Sequence, residues 1–209
     1  MDSTPKQRSI SERIARVISF LTISPFQIVV YIVFAGIICQ NLIQEFILDS
    51  ISGIFFLVIP LVPLVYLGRR NRITNYSIKR EDRGILLSFQ IMGFIGMTVI
   101  YYLYPQYTGL NTEILFLFGV GYTLLNVFSL IITSGLKFKV SLHMTGAASS
   151  ITALTIVLGW LWGFLYLFCL LIAWARIKLK AHTPQEVIVG ALLGILTIFI
   201  TYLGFGYLF

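Results

Sequence analysis

Charge is the scarcest commodity in this chain of 209 residues. Only 11% of the residues are Asp, Glu, Lys or Arg, against 58% hydrophobic ones. A soluble domain carries roughly 25% charged residues, so a water-exposed globule is excluded and a membrane is implied, as the mean hydropathy of +0.92 also requires. There are two cysteines, Cys39 and Cys169, both inside apolar stretches. They read as small buried hydrophobes, give no metal pattern and support no disulfide framework. There are two histidines, too few for a histidine-rich metal cage. No polar stretch is long enough to serve as a linker, so one domain is expected. Solenoid-period repeats and low-complexity tracts are missing too. The start of the chain, MDSTPKQRSISERIARVISF, mixes acids with its bases and offers no small-residue cleavage site, which excludes a cleaved signal.

What the chain has is apolar length. A spanning helix needs about 20 mostly apolar residues. Seven stretches approach that, at 26–44, 51–68, 84–104, 113–133, 142–159, 161–176 and 186–208. The fifth and sixth are short and separated only by GWLWG, so they also read as one tight hairpin. The fold class expected is an all-α polytopic membrane bundle of six to seven helices. Residues 1–25 form a leader and 26–209 a single transmembrane domain. Within the leader, Ile14, Val17, Ile18 and Leu21 share one helical face and Arg13 and Arg16 the other. That pattern fits an amphipathic helix on the membrane surface or a plain polar leader. Aromatic residues, 15% of the chain, suit interfacial belts.

The few charges are segregated. In a seven-span arrangement all fifteen cations fall on one side, in the leader and in the connections around 69–83, 137–139 and 176–180. The opposite connections hold only Glu45, Asp49 and Glu113. The positive-inside rule then places the basic side in the cytoplasm and the C-terminus outside, in an inner or plasma membrane of bacterial or archaeal type.

His143 and His182 both fall on that basic side, each at the membrane end of a span. Around them stand Lys139, Arg176, Arg80 and Arg83. Cations with two imidazoles suit a phosphate: guanidinium forks match its oxygens, one histidine can attack phosphorus and the other can protonate the leaving oxygen. Glu186, one helical turn after His182, can accept a ring N–H and fix the tautomer. Thr183 and Pro184 read as N-cap and first position of the following helix.

The segment ARIKLKAHTPQE, residues 175–186, resembles the third motif of the type 2 phosphatidate phosphatase superfamily, lipid phosphatases that share a core with vanadium haloperoxidases. That motif is Ser-Arg, five residues, His, three residues, Asp. Arg176, His182 and Glu186 keep the spacing, with Ala175 at the serine and Glu at the aspartate. VSLH, residues 140–143, is similar to the second motif, Pro-Ser-Gly-His, keeping Ser141 and His143. KREDRGI, residues 79–85, stands where the first motif belongs but does not keep its spacing. The resemblance spans about residues 69–194. It implies His182 as a nucleophile forming a phosphohistidine, Glu186 as its orienting acid and His143 as the acid for the leaving group. Arg176 and Ser141 are implied as phosphate contacts; Lys139, Arg80 and Arg83 are candidates by placement. The implied activity is metal-independent hydrolysis of a phosphate monoester or pyrophosphate on a lipid, of phosphatidate, phosphatidylglycerophosphate or polyprenyl phosphate type. No cofactor, metal or nucleic acid is expected; the partners are the bilayer and the lipid phosphate. A phosphotransferase, or a silent relative that binds lipid or a partner protein, are the alternatives.

Overall fold

The apolar segments fold as helices because an apolar environment leaves backbone N–H and C=O groups no partners outside the helix. The computed structural model describes residues 9–22, 25–74 and 77–207. The helices are α1 (Ile10–Leu21), α2 (Pro25–Ile38), α3 (Leu42–Gly53), α4 (Ile59–Arg69), α5 (Arg83–Thr108), α6 (Glu113–Leu130), α7 (Leu142–Leu158), α8 (Tyr166–Lys178) and α9 (Pro184–Gly204). A π-helical stretch, Ile54–Val58, joins α3 to α4 in one run, and another, Ile131–Gly135, extends α6. Apart from a two-residue antiparallel pairing of Ile73–Thr74 with Ser77–Ile78, the described regular structure is helical.

Five helical runs are long and apolar enough to cross a bilayer: Leu42–Arg69, Arg80–Thr108, Glu113–Gly135, Trp160–Lys178 and Pro184–Gly204. Gln27–Ile38 and Leu142–Leu158 are shorter apolar helices packed among them. The expected stretch at 26–44 is thus broken. Asn41 caps α3 by accepting from the Gln44 N–H at 3.0 Å, so the chain turns after Ile38. Between α7 and α8, Gly159 adopts φ +101°, a backbone that suits glycine, and a 3₁₀ segment, Trp160–Leu165, starts the return.

Two features hold the bundle together. In the core, Tyr31, Phe56, Phe94, Phe118 and Tyr122 from four separate elements meet ring against ring, with centroids 4.7–6.5 Å apart. At the α7–α9 contact, small residues bring backbones together. A Cβ on Gly190 would lie 2.9 Å from the Ser141 carbonyl oxygen, and one on Gly194 would lie 2.5 Å from that of Thr145. A Gly-x-x-x-Gly stripe thus holds the helix carrying His143 against the helix that begins just after His182.

The cationic connections gather at one end of the bundle. Arg72 lies 3.9 Å from Asp82, Arg80 Nη1 donates to the Lys137 carbonyl at 2.8 Å, and Lys139 Nζ donates to the Ala181 carbonyl at 2.9 Å. α1 closes over the same end against α8. Ala15 and Ser19 face inward, whereas Ile10, Ile14, Val17 and Leu21 are exposed as an apolar stripe. Within the leader, Ile10–Leu21 is a helix capped by Ser9.

Candidate functional site

The turn from α8 into α9 places the first group. α8 ends at Lys178, Lys180 follows at φ +52°, and the Ala181 N–H donates back to the Arg176 carbonyl at 3.0 Å. This left-handed closure reverses the chain and delivers His182 immediately before the α9 N-terminus. There Thr183 is the N-cap and Pro184 the first helical residue. Glu186 completes a capping box, its carboxylate accepting from the Thr183 N–H at 3.2 Å while the Thr183 hydroxyl accepts from the Glu186 N–H at 3.3 Å. Thr-x-x-Glu is a readable capping signal, and it accounts for glutamate at this position: a shorter side chain at the third helical residue is less able to reach back to the cap.

The same Glu186 oxygen lies 2.7 Å from His182 Nδ1. Arg83 Nη2 lies 3.3 Å from His182 Nε2. A carboxylate only accepts and a guanidinium only donates. The two contacts therefore fix one tautomer, with the proton on Nδ1 and the lone pair on Nε2. His182 is 6% exposed. Burial first, then Arg83, Arg176 and Lys139, push its pKa well below the ordinary histidine range, so the ring is held neutral with a nucleophilic nitrogen aimed at cations. Burial and then Arg83 likewise lower Lys139, half-buried in its loop.

The second motif is fastened to the third. The Ser141 N–H donates to the Glu186 carbonyl at 3.1 Å. Arg83 donates to the Val140 carbonyl through Nη1. One guanidinium thus bridges the loop before α7 and the ring of His182, although the residues are 57 and 99 positions away in the chain. His143 stands in the first turn of α7, close enough to His182 to act on its charge. Its Nε2 and the Ser141 Oγ are buried without a hydrogen-bond partner among the described residues. Buried polar atoms are normally satisfied, so these two mark a place for an outside polar group.

Arg176 is 1% exposed and Arg83 3% exposed. Two guanidiniums this deep need acceptors. Arg176 Nη1 donates to Ser19 Oγ on α1. Nothing in the leader pattern announces Ser19 as a site residue, because its partner lies 157 positions further on. The structure thus brings together His182, Glu186, Arg83, Arg176, His143, Ser141 and Lys139. Arg80 is exposed and its Nη1 donates to the Lys137 carbonyl; it braces the loop before α7 from outside. Among the described residues, no group of three His, Cys, Asp or Glu side chains is placed to hold a metal.

Beside the cluster lies a cavity of about 550 Å³ lined in part by Arg83, Arg176 and His143. Its walls are chiefly apolar side chains of α1, α4, α5 and α6. Searches of the chain against models of known protein families, against curated proteins and against solved structures find no match.

Proposed function

We propose that this chain is an integral-membrane lipid phosphatase that works without a metal, through a phosphohistidine on His182. The observation that carries the reading is the fixed tautomer of His182. Its unprotonated Nε2 faces Arg83 and feels the charges of Arg176 and His143, and the Glu186 that holds its Nδ1 is bonded through its carbonyl to the Ser141 N–H. We read the bundle as seven crossings, α2 through α9 with α3 and α4 as one, and α1 lying in the basic interface.

In this scheme the phosphate of the substrate takes the guanidinium donors of Arg83 and Arg176. Arg83 leaves Nε2 as it engages the phosphate oxygens. The Nε2 lone pair attacks phosphorus and the bond to the lipid oxygen breaks. The phosphate enters as its monoanion, and His143 relays that proton to the leaving oxygen. The ring of His182, now phosphorylated at Nε2 and protonated at Nδ1, carries positive charge that the Glu186 carboxylate stabilises. His143 then removes a proton from water, whose oxygen attacks phosphorus; the P–N bond breaks and phosphate leaves. Fixed donors in a water-poor site supply the charge stabilisation that a metal supplies elsewhere.

The decisive experiment follows release of inorganic phosphate from phosphatidate, phosphatidylglycerophosphate and polyprenyl phosphates by the purified protein in nanodiscs, with trapping of an acid-labile phosphoryl group. Turnover with the label on the peptide containing His182, and none in His182→Ala, is expected. Turnover that survives His182→Ala overturns the assignment. Transfer of the label to an added lipid alcohol in preference to water would move the reading to a phosphotransferase.

A further inference from the structure

We propose that the cavity beside the phosphate cluster is a slot for one hydrocarbon chain, so that the preferred substrate is a single-chain lipid phosphate whose tail is housed inside the bundle. This rests on the phosphatase reading and specifies its substrate class.

Position comes first. The cavity is lined on α5 from Arg83 to Phe94. Eleven residues of helix correspond to about 16 Å. That is about half of a hydrocarbon core roughly 30 Å thick. A phosphate held by Arg83 and Arg176 would therefore send its chain inward by the depth of one leaflet.

Volume decides the number of chains. A water occupies about 30 Å³ of liquid, and a methylene is of similar size. A cavity of about 550 Å³ then holds roughly 18 such groups. One chain of membrane length fills it. Two chains of sixteen carbons need nearly twice the space.

Chemistry agrees. The side walls include Pro60, Leu64, Leu86 and Leu125. The polar groups at the inner end satisfy one another. The Tyr122 hydroxyl donates to the Gly146 carbonyl at 2.9 Å and accepts from Ser149 at 2.8 Å, and Asn126 Nδ2 donates to the Tyr122 carbonyl at 2.8 Å. Phe94 and Tyr122, their rings 5.4 Å apart, form the floor that sets the chain length.

Two measurements in nanodiscs test this. In the first, hexadecyl phosphate competes with dipalmitoyl phosphatidate at equal mole fraction; at least tenfold higher kcat/KM for the single chain is expected. Leu64→Phe and Leu125→Phe, which fill the slot from two helices, should each lower the ratio of kcat/KM for hexadecyl phosphate to that for butyl phosphate at least tenfold. In the second, hexadecyl phosphate with a diazirine at the chain end is photolysed on the intact protein. Label is expected around Phe94 and Tyr122 and should be displaced by unlabelled hexadecyl phosphate. Butyl phosphate turned over as well as hexadecyl phosphate, with label confined to lipid-facing residues such as Leu196 and Phe199, overturns the slot and leaves the phosphatase standing. Specific label at the floor with no turnover of any phosphate keeps the slot and overturns the phosphatase.

Discussion

Replacing Gly194 with alanine tests whether the approach of α7 to α9 builds the site. The added Cβ would lie 2.5 Å from the Thr145 carbonyl oxygen, 2.9 Å from the Ser149 nitrogen and 3.2 Å from the Ala148 Cβ. Two of the three are backbone atoms, which cannot rotate away. Ordinary contact begins near 3.4 Å, so the helices must part by nearly 1 Å at this level. Ser141 and His143 ride on the start of α7, and His182 and Glu186 on the start of α9. Separation therefore displaces one half of the cluster from the other and strains the bond from the Ser141 N–H to the Glu186 carbonyl. Overpacking of this kind costs about 1–3 kcal/mol of stability, and a misplacement near 1 Å costs on the order of 10²-fold in rate. The assay is turnover of the selected lipid phosphate, paired with orthovanadate affinity by calorimetry and melting temperature in the same detergent. Gly204→Ala is the control, since nothing lies within 4 Å of the added atom there. Activity of Gly194→Ala within threefold of Gly204→Ala, at matched folding, would refute the claim that this contact sets the catalytic geometry.

Arg176→Lys keeps the charge but loses a planar fork, and the loss of one charge-assisted bond worth about 1.5–3 kcal/mol corresponds to roughly 10- to 150-fold in kcat/KM. The exposed Arg69→Lys should be silent, and equal tolerance at both would make Arg176 an ordinary interfacial cation. His182 should stay neutral from pH 8 down to about 5, below the ordinary pKa near 6.5, because burial and its cationic neighbours lower its affinity for a proton. The sign is that of a depressed group: its contribution to stability is full above about pH 6.5 and is lost as pH falls. Ring ¹⁵N shifts of the folded protein read this directly, and a doubly protonated ring near pH 6 contradicts it. Sidedness follows from the basic end: with Cys39 and Cys169 removed, a cysteine at Gln106 should react with an impermeant reagent in intact cells and one at Lys178 should not. The reverse pattern inverts the topology. Activity should persist in strong chelator; loss restored by a divalent ion would bring a metal to His182 and Glu186.

Much of this site is short-range, and that part is legible in the sequence. Arg176, His182, Thr183 and Glu186 lie within eleven residues, where spacing and helix periodicity decide contacts. The helical segments are legible for the same reason, since apolar length is a local property. What the sequence conceals is long-range. Arg80 and Arg83 look alike in KREDRG, yet Arg83 opens α5 facing the pocket while Arg80 sits in a 3₁₀ turn facing out. Ser19 is an unremarkable residue of an amphipathic helix until α8 is laid against it. The cavity has no sequence signature, because its lining residues come from elements far apart in the chain.

The bond between Arg176 and Ser19 also bears on how the molecule is made. His182 is translated 163 residues after Ser19, counting from position 19 to position 182. At about 5–20 residues per second the interval is roughly ten to thirty seconds. Throughout it, the arginine of α5 lacks its imidazole partner and α1 has no α8 to lie against. The unfinished bundle therefore presents cations at its basic end that only the completed chain retires. Synthesis cut short before α9 leaves a membrane protein with its guanidiniums on show and no His182 ring to receive Arg83, conspicuous to whatever machinery clears incomplete chains.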